Sequence, residues 1–320
     1  LSARGNVLLS FDLPLGLPQS FLSAIRNVPD WEGASRFIEF LPIAARTPSF
    51  FVSGRDASGW SVRKPFFAVP SGKGGKKAFE AKAERAGVQL QRKIERRTKG
   101  NSVFITSGIP GSVGSGAIDA WRELARLLPR DRDFKVWPFE GVLPDLFASA
   151  RIVVAENYPR AIYAAALSDL PSAQRPRLRL SKTLAETRQA AVECLTSRPW
   201  IARYRVTLKD TSAALANEDS FDALLTTAGL LRLLLDEEPL FSPEFEDPVA
   251  EGGILGTGTI NFDLPEEGFS SGGAKRASPA GTKAPRPSIP SGSAIDGHAE
   301  GATKDAPVGP RYACPIARCS

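Results

Sequence analysis

Four carboxylates stand where acids are costly. Asp12 follows the apolar run VLLSF, Glu156 follows IVVA, and Asp219 and Asp222 open the apolar stretch that runs to Leu235. An acid at the edge of a core needs hydrogen bonds, an opposite charge or a metal. Asp222 is the sharpest case, because it falls beyond the first turn of a predicted helix, between Phe221 and Ala223, on the face it shares with Asp219. No basic residue stands close by in sequence, so a shared divalent cation is the economical partner. Magnesium and manganese take hard oxygen ligands, and a pair of such ions about 3.5 to 4 Å apart stabilises the attacking and leaving oxygens of phosphodiester cleavage. Each acid also has an ordinary reading. Asp219 suits the positive end of a helix behind an Asn217 cap, Asp12 suits a turn before Pro14, and Glu156 suits an exposed strand end.

Other chemistry is nearly excluded. The single histidine, His298, lies in a Gly/Ser/Pro-rich stretch, so a Ser-His-Asp or Cys-His site has no base. Cys194, Cys314 and Cys319 make no disulfide framework, and CPIARC offers too few ligands for zinc; a reducing, cytoplasmic location is expected. No apolar run approaches the roughly 20 residues of a bilayer span, which predicts a soluble protein without a membrane partner. The 41 basic against 35 acidic residues suit an anionic partner. Much of that excess sits in residues 72–99, which hold ten Lys/Arg and three Glu. Lys73, Lys76, Lys77, Arg92, Lys93, Arg96 and Arg97 are there the candidate contacts to nucleic acid, DNA or RNA; the competing reading is a solvated helix laced with salt bridges.

The surrounding pattern predicts the elements that must carry these groups. A strand over 5–11 is closed by Pro14, Gly16 and Pro18, and an amphipathic helix follows near 19–27. Residues 102–128 read as strand, glycine-rich turn and helix; 134–141 and 150–159 read as strands; helices are predicted from 159, over 180–195 and over 218–235. GKGGKK lacks the Walker spacing, and Gly108, Gly111, Gly114 and Gly116 lack the dinucleotide spacing. They leave a tight turn, or a phosphate-contacting helix start in a nucleotide-binding phosphotransferase. From about 266 large apolar residues become scarce, which predicts a disordered tail over 266–320 behind one α/β domain over 1–265.

Several segments together carry a resemblance. LLSFDLPLGLP, GSVGSGAIDAWRELARLL with KVWPFEG, VVAENYPRAIY, EDSFDALLTTAGLL and EGGIL occur in the order of the motifs of a predicted RNase H-like nuclease family, domain of unknown function 429, which the chain resembles over roughly residues 5–262. The resemblance implies a mixed sheet flanked by helices and metal-dependent hydrolysis of nucleic acid with Mg2+ or Mn2+. It makes Asp12 the acid of a central strand, Glu156 that of the next core strand, and Asp219 with Asp222 those of the last helix, all four as catalytic residues and metal ligands. Such domains begin with a hairpin strand bearing a first catalytic Asp. Nothing before Leu1 holds it here, so the expectation is a sheet lacking its first strands, and an inactive nucleic-acid-binding or interaction protein is the alternative.

Overall fold

The computed structural model describes residues 6–70, 75–107 and 113–269. The run VLLSF forms β1 (Val7–Phe11), and the prolines of DLPLGLP turn the chain into α1 (Gln19–Arg26) and α2 (Phe37–Ala45). There follow β2 (Phe67–Ala68), α3 (Gly75–Arg85), α4 (Lys93–Thr98), β3 (Ile105–Ser107) and α5 (Gly114–Leu127). β4 (Phe134–Val136), α6 (Leu143–Ser149), β5 (Ile152–Asn157) and α7 (Pro159–Leu167) come next. After β6 (Leu178–Arg179), the helices α8 (Ala185–Thr196), α9 (Pro199–Arg203), α10 (Ser212–Ala216) and α11 (Glu218–Leu235) lead to β7 (Ile254–Leu255) and β8 (Glu267–Gly268).

β5 is the axis of the main sheet. β1 runs along one of its edges in register from Val7 beside Ile152 to Phe11 beside Glu156. The other edge takes β4 against Ile152–Val154 and then β7 against Glu156 and Asn157. All these pairings are parallel, as are β2 with β3 and β6 with β8. The chain is therefore mixed α/β as expected. The mixed sheet is not seen: among the described residues, antiparallel pairing is confined to isolated bridges such as Ser61 with Lys64.

A parallel strand covered on both faces needs apolar residues at every position, which is why IVVA is continuous. Alternate side chains point to opposite faces. Val154 and Val136, with Leu9 beside them, face an aromatic core that includes Phe37, Phe104 and Trp121; Val153 and Ala155 face Ile162 and Ala165 of α7 and Leu230 and Leu233 of α11. α7 and α11 approach closely at Gly229, where a Cβ would stand 2.5 Å from the Ile162 carbonyl oxygen. The predicted Asn217 cap is present, its side chain accepting from the Ser220 N–H at 2.8 Å.

Further expectations change. The strand predicted over 134–141 stops at Val136, where the chain turns through residues 137–140. The basic segment is not one helix, because the chain breaks between α3 and α4 through Gly87 at φ 71°. The helix predicted over 180–195 begins only at Ala185, since the Lys182 carbonyl is taken by the Arg188 guanidinium at 2.7 Å, and residues 180–184 run as a loop. The predicted disorder starts too early: β8 pairs with β6, and Glu266 binds Arg160 at 2.6 Å. The rest of the tail, from residue 270, lies outside the described residues, as do His298, Cys314 and Cys319.

Candidate functional site

Strand parity separates the predicted acids. Phe11 pairs with Glu156, so Asp12, one step on, stands beside Asn157 at the C-terminal edge of the sheet. Asn157 continues the face that Val153 and Ala155 present to α7 and α11, whereas Glu156 continues the opposite one. The open C-terminal edge of a parallel sheet is where side chains and backbone ends converge without a covering strand.

On the α7–α11 side, Asp222 reaches in from the second turn of α11. One carboxylate oxygen accepts the Tyr163 hydroxyl from α7, and the other accepts the Lys182 ammonium from the loop before α8. Asp12, Asp219, Asp222 and Asn157 line one groove of about 750 Å³. Asp12 and Asn157 also border a second cleft of about 570 Å³, whose wall carries Lys99, Arg160, Arg179 and Lys182 and is also lined by Glu156 with Arg92 and Glu95. Asn157 is 4% exposed, and among the described residues its Oδ1 has no hydrogen-bond partner. A buried acceptor left unpaired is expensive, and Asn157 lines the same groove as the Asp12 and Asp222 carboxylates.

The electrostatics follow from this crowding. The Asp12 side chain reaches solvent at the cleft mouth, yet the surrounding walls desolvate its carboxyl and push its pKa above the ordinary value; Lys182 pulls it down and Asp222 pushes it further up. Burial works against the Lys182 ammonium, but the bond and charge of Asp222, with Asp12 behind, outweigh it and hold lysine above its usual range. Burial and then the Asp222 carboxylate push the Tyr163 hydroxyl far up, so it stays a donor.

Glu156 has a different environment. Both its oxygens accept from the Arg92 guanidinium at 2.7 Å, and one also accepts the Leu15 N–H at 2.7 Å. Arg92 is 2% exposed and also grips Glu95 at 2.6 Å. Burial opposes the guanidinium's charge, but Glu156 and Glu95 more than offset it and hold its pKa above the arginine norm. Burial likewise pushes the Glu156 carboxyl up while Arg92 pulls against it. Both Glu156 oxygens are thus engaged, and its charge is met by a buried guanidinium.

The four predicted acids divide between the two clefts: Asp12, Asp219 and Asp222 line the first, and Asp12 and Glu156 the second. Among the described residues no three Asp, Glu, His or Cys side chains gather as a cation site. Asp222 stands in the first cleft with Asp12, Asp219 borders it an exposed turn away, and Glu156 meets the second cleft from the opposite strand face with its carboxylate paired to Arg92. Asp222 does have a basic partner, Lys182, forty positions away in sequence and invisible to local inspection. Asn157, Lys182 and Tyr163 are the residues the sequence did not reveal. Only Asn157 had a usable signal, since it shares parity with Asp12 once the two strands are aligned.

The basic candidates also sort. Arg92 cannot meet a phosphate, because it is buried and its guanidinium is spent on two glutamates. Lys73 lies outside the described residues. Lys76 holds Asn101 at 3.0 Å and Glu80 at 3.7 Å, and Arg97 pairs with Asp263 beside the Phe262 ring. Lys77, Lys93 and Arg96 are exposed. At the glycine turn, Gly108 and Gly111 lie outside the described residues. Gly114 opens α5 against β3, where a Cβ would be 2.5 Å from the Ile105 carbonyl oxygen, a packing reason for glycine that needs no phosphate.

Compared with known proteins, the chain matches no family model, and no curated protein or solved structure matches it. No helix among the described residues is long and apolar enough to cross a membrane.

Proposed function

We propose that this chain hydrolyses phosphodiester bonds in nucleic acid with a divalent cation, Mg2+ or Mn2+, held by Asp12, Asp222 and the Asn157 Oδ1, on an RNase H-like variant of the α/β fold. The observation that carries the reading is the unpaired, buried Asn157 acceptor beside two carboxylates. Three hard oxygens of this kind fit an alkaline-earth or manganese ion and would leave its remaining positions to water and phosphate. When bound, such an ion polarises a phosphoryl oxygen and assists attack by water. The resemblance of LLSFDLPLGLP and EDSFDALLTTAGLL to the RNase H-like nuclease family supports the same assignment.

The chain's own groups have distinct roles in this reading. Asp12 and Asp222 supply charge, and Tyr163 fixes the rotamer of Asp222. Arg160 and Arg179 stand at the rim, both tied to Glu266, at 2.6 and 3.8 Å. With the exposed Lys99 they form a basic border suited to a phosphate backbone.

The test compares cleavage of labelled DNA and RNA in Mg2+ and Mn2+ by the wild type and Asp222→Asn. Loss of at least about a hundredfold in rate is expected for the variant, the scale of removing a group that stabilises transition-state charge. Cleavage that survives the substitution removes Asp222 from the site. A second reading, a nucleic-acid-binding protein with vestigial acids, is favoured by the Lys182 contact, which already neutralises Asp222. Strand binding with no cleavage in either metal selects it.

A further inference from the structure

Lys182 sits awkwardly for a metal site. Its ammonium bonds one Asp222 oxygen while Tyr163 holds the other, so neither oxygen of Asp222 is free to take a cation. The lysine also lines the basic cleft beside Arg160 and Arg179. Its carbonyl is pinned by Arg188 at 2.7 Å, and Arg188 is anchored in turn to the Leu215 carbonyl at 3.0 Å. The backbone is thus fixed and the four-carbon stem is the part that can move, with 38% of the side chain exposed.

Resting on the function proposed above, we propose that Lys182 is a resident cation that closes the metal site until a substrate phosphate draws it away. In the free protein the ammonium occupies Asp222. When a phosphodiester enters the basic cleft, the ammonium turns to a non-bridging phosphate oxygen, and the freed carboxylate completes the ligand set with Asp12 and Asn157. Lys182 is a positioning residue here: it acts on the cation through Asp222. The two ligands then bind with positive coupling, and linkage requires that each raise the other's affinity by the same factor.

The experiment titrates Mn2+ by electron paramagnetic resonance into the full chain, with and without a phosphorothioate-backbone oligodeoxynucleotide. The proteins are wild type, Lys182→Met, Lys182→Gln and Asp12→Asn, each checked for folding by circular dichroism. A neighbouring charge shifts a proton's affinity by one to three decades, and Mn2+ feels the same field; without the oligonucleotide both lysine variants should bind it about ten- to a hundredfold more tightly than wild type. A lysine with a merely structural role gives the opposite sign. The oligonucleotide should tighten Mn2+ binding in the wild type and leave it unchanged in the lysine variants. Equal or weaker Mn2+ binding by both lysine variants, or no coupling in the wild type, overturns the proposal while leaving the cation site standing. Mn2+ binding that Asp12→Asn does not diminish in any background, or none at all, overturns the site itself and the proposal with it.

Discussion

Glu156 and Asp12 lie at the ends of neighbouring strands, one register step apart, and have opposite environments. On the aromatic-core face, both Glu156 oxygens accept from Arg92, which Glu95 grips from its other side, and one also accepts a backbone N–H. On the helical face, the Lys182 ammonium bonds Asp222 and reaches Asp12 only through its charge, and the Asn157 acceptor in the same groove is unpaired. A closed network holds elements together; an open one is poised for something else. The difference teaches that an acid at a core's edge is uninformative until its partners are counted.

The sharpest way to break this comparison is at its closed end. Arg92→Met leaves Glu156 and Glu95 buried without a counter-charge and should cost about 3–5 kcal/mol in urea unfolding. Glu156→Gln keeps the shape but weakens the bidentate pair. It should cost about 1–3 kcal/mol and leave Mn2+ affinity unchanged within about twofold. If Mn2+ binding collapses instead, Glu156 belongs to the cation site after all.

The open end responds with the opposite sign. Enclosure raises the Asp12 carboxyl above its ordinary pKa, so the folded state holds that proton more tightly than the unfolded chain does. Its contribution to stability is therefore full below the unfolded pKa near 4 and is lost as pH rises through the raised folded value. In buffer with chelator, Asp12→Asn should melt above the wild type at neutral pH, and the gap should close below about pH 4. A variant that is destabilised at neutral pH would place Asp12 with the structural acids.

Much of this frame was legible in the sequence. β1 and α11 follow directly from VLLSF before its prolines and from the long apolar stretch behind Asn217, because local pattern and tertiary burial agree there. Asp12, Glu156, Asp219 and Asp222 were legible only as four acids at core edges, not as the division that leaves Asp12 and Asp222 in one groove and Glu156 bound to Arg92. What was hidden is long-range: Lys182 stands on a loop where a helix was expected, and Arg92 lies 64 positions from Glu156 inside a segment whose charge reads as surface. Pairing register, which assigns Asn157 rather than Glu156 to the face of Asp12, is not written in either strand alone.

The smallest effect concerns the exposed side of α4. Among the described residues the exposed Arg96 bonds only Gln89 at 3.1 Å and the Gln91 carbonyl at 2.7 Å. Arg96→Ala should weaken strand binding by a few-fold regardless of sequence and lower the salt slope by about one, read by fluorescence anisotropy across a salt series. An unchanged slope would return that helix to plain solvated surface.

The most direct measurement is a Mn2+ soak of crystals of the chain with an anomalous difference map. The account predicts a peak bounded by Asp12, Asp222 and the Asn157 Oδ1, with the Lys182 ammonium displaced from Asp222. A peak beside Glu156, or none anywhere in the cleft at saturating Mn2+, would contradict it.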